Sequence, residues 1–281
     1  MSVRNNKNRL GTSDQKAKPV SAAVSPLNFV TPTEFVELPS GGEGYSEDHP
    51  LHGQDVIEIR YMTAKEEDIL TSVTLLKKGI AVDRFMQNII CDTNIKVDDL
   101  LIGDKNAVLI AARASGYGAE YETEVICPNC STKSMASFDL TSPKILKSKF
   151  DSDLGINKTN KGTFLIQMPF TKFEVEVRLL TGKDEKYITQ LNKNKTKGGL
   201  AETTMTDQYK RMIVSVQDLN SKEVIDHYVD NMPLRDSRHL RLSYRLVSPD
   251  IKISEDFECS SCQHTQELEV PFGADFLWPD R

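Results

Sequence analysis

The sequence predicts an α+β fold: a small N-terminal helical module, two cysteine-tipped hairpins far apart in the chain, and a hairpin-plus-helices domain inserted between them. Three observations carry this expectation. Apolar residues recur at three- and four-residue spacing behind a Thr63-x-x-Glu66 pattern, the mark of a capped helix start. Two Cys-x-x-Cys turns, Cys127 with Cys130 and Cys259 with Cys262, are each flanked by alternating apolar and polar residues, the period of half-buried strands. The long stretch between them has hairpin and helix patterns of its own.

Along the chain, residues 1–33 hold Arg4, Lys7, Arg9, Lys16 and Lys18 against Asp14 with no hydrophobic period, which reads as a flexible basic arm. The segment 34–140 follows as the helical module with the first cysteine turn. Val56, Ile57, Ile59 and Tyr61 form a strand, and Ile69, Leu70, Val73 and Leu76 share one face of a helix that Gly79 stops. A second helix, from Val82 to Cys91, turns Phe85, Met86, Ile89 and Ile90 inward, and Cys91 reads as a small buried hydrophobe. In DDLLIGDKNAVLIAARASGYG, Gly103 and Asp104 divide two apolar patches, which predicts a short helix, a turn and a longer helix.

Residues 141–161 turn to Ser, Lys, Asn, Asp and Gly and read as a linker. The inserted domain spans 162–248. Phe164, Ile166 and Met168, then Phe173, Val175, Val177 and Leu179, alternate across a turn at Pro169. A helix starts after Thr181, with Asp184 completing a second capping pattern, and NKNKTKGGLAE reads as a polar loop. Met205, Tyr209, Met212, Ile213, Val216 and Leu219 fall at helical spacing, read as core. Val224, Ile225, Tyr228 and Val229 make a short helix, and a last helix runs from Pro233 to before Pro249. On it Arg235, Arg238, Arg241 and Arg245 recur at three- to four-residue spacing; they read either as a solvated face or as a contact for an acidic partner. Residues 249–281 hold the second cysteine turn and a tail.

Composition limits the function. A chain of 281 residues can bury a real core, and 38% hydrophobic with 27% charged residues is ordinary for a globular protein. The net charge of -6 opposes a surface that grips a phosphate backbone. No apolar run approaches the roughly 18 residues of a membrane span, and MSVRNNKNRL lacks the apolar region of a signal peptide, so the expected place is the cytoplasm. Four of the five cysteines lie in close pairs, which points to metal or redox chemistry before structural disulfides.

Two knuckles brought face to face supply the four thiolates that tetrahedral zinc takes in closed, structural sites. Cys127, Cys130, Cys259 and Cys262 are therefore the expected ligands of a structural Zn2+, forming a zinc ribbon split by the insertion. An iron-sulfur cluster and unmetallated or redox thiols are the alternatives. A redox Cys-x-x-Cys normally opens a helix, whereas these sit in hairpins. His264 reads as second to the four sulfurs or as surface. No phosphate-binding loop, nucleophile elbow or His-Glu-x-x-His motif is present, so no enzyme is expected.

The order FVELPSGGEGY, IEIRYMTAKEEDILTS, DLLIGDKNAVLIAARASGYGAEYE, CPNC and a closing FGADFLWPDR resembles the baseplate hub family of T-even-like contractile-tailed bacteriophages. The resemblance covers about residues 34–140 and 250–281, leaving the arm and the insertion aside. It implies an assembly protein, acting in the host cytoplasm and sited in the tail baseplate if retained. Its partners would be other hub proteins, or the tape-measure protein if the chain is a tail assembly chaperone that leaves the finished particle. A zinc-ribbon nucleic-acid factor is the competing class; the acids in EYETEVICPNC and SEDFECSSC would repel phosphates.

Overall fold

The LPSGGEGY loop and the start of the IGDKN helix, far apart in sequence, meet at one buried carboxylate. In the computed structural model, which describes residues 30–150, 155–199, 201, 203–270 and 276–278, Asp104 accepts hydrogen bonds from Ser40 N (3.0 Å), Ser40 Oγ (2.7 Å) and Tyr45 Oη (2.6 Å). Tyr45 Oη in turn accepts from Leu101 N at 3.1 Å. Every polar atom of the joint is thus matched, as burial demands. Burial pushes the Asp104 carboxyl upward, against the hydrogen bonds from Tyr45 and Ser40.

Strands β1 (Thr33–Glu37) and β2 (Val56–Arg60) pair antiparallel on either side of this loop. Helix α1 (Ala64–Thr71) carries the expected capping box, and its Glu66 also takes Arg60 at 2.6 Å. The single helix expected to reach Gly79 is broken: Ser72 is extended, and α2 (Val73–Lys78) follows as a separate turn and a half. β-branched Thr71, Val73 and Thr74 around a serine weaken helix at that point. Gly79 ends α2 in the left-handed region (φ 69°), as a C-terminal glycine does.

Helix α3 (Ala81–Ile89) buries Phe85, Met86 and Ile89, each contributing about 2 kcal/mol by burial. Cys91 is exposed, not buried as expected. The helix ends at Ile89, Ile90 bridges to Ile59, and extended chain alternates its side chains, so Ile90 inward sends Cys91 outward. A 3-10 turn at Val97–Asp99 leads into α4 (Ile102–Tyr117). Gly103 and Asp104 lie inside its first turn and do not divide two helices. Gly103 is there because a Cβ would stand 2.1 Å from Pro249 O.

Hairpin β3 (Glu120–Ile126) with β4 (Lys133–Asp139) carries the first cysteine turn. The polar stretch 141–161 supplies two short strands, β5 (Lys144–Leu146) and β6 (Ile156–Lys158). Strand β6 edges a four-stranded antiparallel sheet with β7 (Phe164–Gln167), β8 (Glu174–Val177) and β9 (Ile213–Val216), in that order. Phe173, expected inward, is 40% exposed, at the β7–β8 turn beside left-handed Lys172.

Helix α5 (Gly182–Lys197) begins at the predicted Thr181–Asp184 box and continues through the lysine- and asparagine-rich stretch expected to be a loop. Lys and Asn are tolerable in an exposed helix, and Gly198 with Gly199 end it. Helix α6 (Thr204–Met212) is shorter than its apolar stripe predicts: Ile213 to Val216 are β9, since β-branched residues there complete the sheet. Tyr209, Met212, Ile213 and Val216 are core, while Met205 and Leu219 are exposed. Helices α7 (Lys222–Asn231) and α8 (Leu234–Val247) follow as expected.

Strand β10 (Asp250–Lys252) pairs with β5, and β11 (Ser254–Glu258) with β12 (Thr265–Glu269) forms the second cysteine hairpin. The compact unit spans Pro32–Arg281; the arm expected over 1–33 lies, up to residue 29, outside the described residues. Among those described, no helix is long and apolar enough to cross a membrane.

Two predictions test this frame. Gly103→Ala should lower the urea-unfolding free energy by about 2–3 kcal/mol, whereas Gly198→Ala, meeting nothing nearer than 3.5 Å, should be close to neutral; equal effects would refute the close-approach argument. Glu66 is buried, which alone would raise its pKa, yet hydrogen bonds from Arg60 and Thr63 bring it from 4.5 down to about 2. Its stabilisation is therefore present above the unfolded value and lost as pH falls toward the folded one. Glu66→Gln should cost about 2 kcal/mol at neutral pH, with the gap to the parent closing below pH 4.5; a gap constant with pH would exclude this linkage.

Candidate metal centre

The two cysteine turns repeat one backbone design. In the first, Cys127 N donates to Thr132 O (2.9 Å) and Ser131 N to Cys127 O (2.8 Å). In the second, Cys259 N donates to His264 O (2.9 Å) and Gln263 N to Cys259 O (2.9 Å). The residue after each second cysteine, Ser131 and Gln263, is left-handed at φ 58° and 56°. That kink folds each turn back so that its two sulfurs face the same way.

The hairpins then face each other. Cys127 Sγ lies 3.7 Å from Cys262 Sγ, and Cys130 Sγ lies 3.6 Å from Cys259 Sγ. All four sulfurs fall within 4.8 Å of one another. A tetrahedron with metal–sulfur bonds of 2.3 Å has edges of about 3.8 Å, so the donor set fits one tetrahedral ion. It leaves no space for the bridging sulfides of a multi-iron cluster.

The sulfurs are unequally placed. Cys127 and Cys259 are buried, while Cys130 and Cys262 lie nearer solvent. Burial pushes the Cys127 thiol up, whereas the hydroxyl and backbone N–H of Thr132 hold Cys130 down. Thr132 Oγ1 stands 3.2 Å from Cys130 Sγ, and Asn129 Nδ2 donates across the interface to Cys262 Sγ at 3.5 Å. Such contacts to sulfur disperse thiolate charge and orient ligands. His264 stays outside the sulfur cluster, with Nε2 3.4 Å from Gln266 Oε1.

Below the knuckles the hairpins rest on aromatic packing. Tyr121 and Phe276 meet edge to face at 5.1 Å, with Phe138 at 6.4 Å from Tyr121. Trp278 Nε1 donates to Leu70 O at 2.9 Å, returning the tail to the first helical layer. The second hairpin is also tied at its root, where Asn106 Nδ2 donates to Asp250 Oδ1 at 3.1 Å.

The structure brings together the four sulfurs named from the sequence. Sequence reasoning missed Asn129, Thr132 and the left-handed pair Ser131 and Gln263. Their equivalent positions after the second cysteine of each turn were the available signal, masked because neither is glycine. The four arginines, Arg235, Arg238, Arg241 and Arg245, do share an exposed face of α8, away from the sulfurs.

A family model described as T4 bacteriophage base plate protein matches residues 31–278, running through the insertion that the sequence resemblance left aside. No curated protein and no solved structure matches the chain.

The sulfur geometry predicts one tightly held divalent ion per chain. Cys259→Ser should lose that ion by elemental analysis and expose the β11–β12 segment to protease, while Cys91→Ser should change neither. A purified native chain without stoichiometric metal, or unchanged protection after strong chelation, would remove the metal centre.

Proposed function

The chain belongs to the T4 bacteriophage base plate protein family, and from that premise we propose that it is a non-enzymatic hub component acting in assembly of the contractile tail, with one structural Zn2+ in a split ribbon. The observation that carries the reading is the closed set of four thiolates drawn from two hairpins more than a hundred residues apart. Cys127, Cys130, Cys259 and Cys262 would hold the ion, which supplies a cross-link and Lewis acidity without an open coordination position. With no place for water or substrate at the metal, the role is mechanical.

The ribbon's strands support the same reading. Glu122, Glu255, Asp256 and Glu258 are exposed, and an acidic surface is unsuited to a phosphate backbone. Its use in a particle would be as a rigid joint, with neighbouring baseplate proteins as partners.

The reading is tested by quantitative mass spectrometry of this chain in finished phage particles and in affinity-purified assembly intermediates. A small fixed copy number in the finished tail is expected. Absence from the particle, with tape-measure protein recovered among the intermediates, would replace the hub role by that of an assembly chaperone.

A further inference from the structure

The outer face of α8 carries three leucines and four arginines that are exposed among the described residues. Leu234 is 83% exposed, Leu242 45% and Leu246 38%. Arg235, Arg238, Arg241 and Arg245 lie on the same exposed arc, and among the described residues none forms an ion pair. In a chain of net charge -6, four unpaired cations on one helix reverse the local field. Leucines are interleaved with them at helical spacing.

Pro233, which caps the N-terminus of α8, lines an apolar groove of about 540 Å³ together with Phe173, Val216, Leu219, Val224 and Tyr228, with the one carboxylate Glu223 at its wall. Leu219 in its lining is 57% exposed, and Phe170, 62% exposed, precedes the lining residue Thr171. The groove is preformed. Asp236, buried on α8, accepts from Phe170 N (2.8 Å) and Thr171 N (3.0 Å), and the Phe173 and Tyr228 rings pack at 6.0 Å. The loop that walls the groove is thereby pinned to the helix that carries the arginines.

We propose that this groove and the arginine–leucine face of α8 form one docking surface for an acidic amphipathic helix of another protein. Its bulky apolar residue would enter the groove, its leucines would lie along Leu234, Leu242 and Leu246, and its flanking carboxylates would pair with the four arginines. Charge complementarity selects this occupant. A nucleic acid has no apolar anchor for the groove, whereas an amphipathic helix brings apolar and acidic side chains to one face. The inference rests on this surface alone, independent of the metal and of any place in the particle.

The test uses the full chain and a fluorescent synthetic helix with leucines at heptad spacing, one terminal phenylalanine and flanking glutamates. Two control peptides replace every glutamate by lysine or every apolar anchor by alanine. Anisotropy titrations should show binding of the acidic peptide only, weakening with added salt. Arg238→Glu with Arg241→Glu should weaken it by about tenfold or more, as should Leu219→Ser with Leu234→Ser, with circular dichroism of each variant unchanged. Equal binding of the lysine peptide, no binding of any peptide, or parental affinity in both variants would overturn the proposal. So would concentration-dependent self-association of the parent abolished by the arginine variant, which would give the face to a second copy of this chain.

Discussion

The architecture depends on one close approach, that of Gly103 in the first turn of α4 to the backbone of Pro249 and Asp250. No side chain fits there. Because helix and backbone touch directly, α4 fixes where β10 begins, and β10 leads without a loop of any length into the second cysteine hairpin. Next to it Asp104 gathers Ser40 and Tyr45, so the same helical turn also sets the position of the LPSGGEGY loop. The sulfurs meet because their hairpins are rooted on a common helix.

A metal at the four sulfurs would therefore come late in the hierarchy of causes. The backbone approach, the Asn106–Asp250 hydrogen bond and the aromatic contacts of Tyr121, Phe138 and Phe276 bring the knuckles near each other. A structural zinc held by the four sulfurs would convert that proximity into a lock, with an apparent contribution on the order of 10 kcal/mol. The matched turns, each with a left-handed residue after its second cysteine, show that both hairpins carry a strained residue at the same place.

Much of this was legible in the sequence because it is local. Both capping boxes, the two cysteine turns, the hairpin around Pro169 and the helix ending before Pro249 depend on residues a few positions apart, where spacing is the physics. The misreadings came from tertiary context. Gly103 and Asp104 look like a helix break until Pro249 and Ser40 are placed beside them. Ile213 to Val216 extend a helical stripe until β8 offers them an edge, and Cys91 looks buried until Ile90 bridges to Ile59. The joint centred on Asp104 could not be read from spacing, since its three residues come from two distant motifs. The same motifs carried the family resemblance, and their physical content here is a buried polar contact.

The separation of the two cysteine turns also sets a clock during synthesis. Cys130 and Cys259 are 129 positions apart, and a ribosome adding about 5–20 residues per second takes on the order of ten seconds to cover that distance. Through that interval the first hairpin can offer an ion only two of its four ligands. A lasting closed site would become possible only after the intervening residues and the second knuckle have emerged. Metal capture would then act as a checkpoint on translation, separating completed chains from truncated ones before either can join a larger assembly.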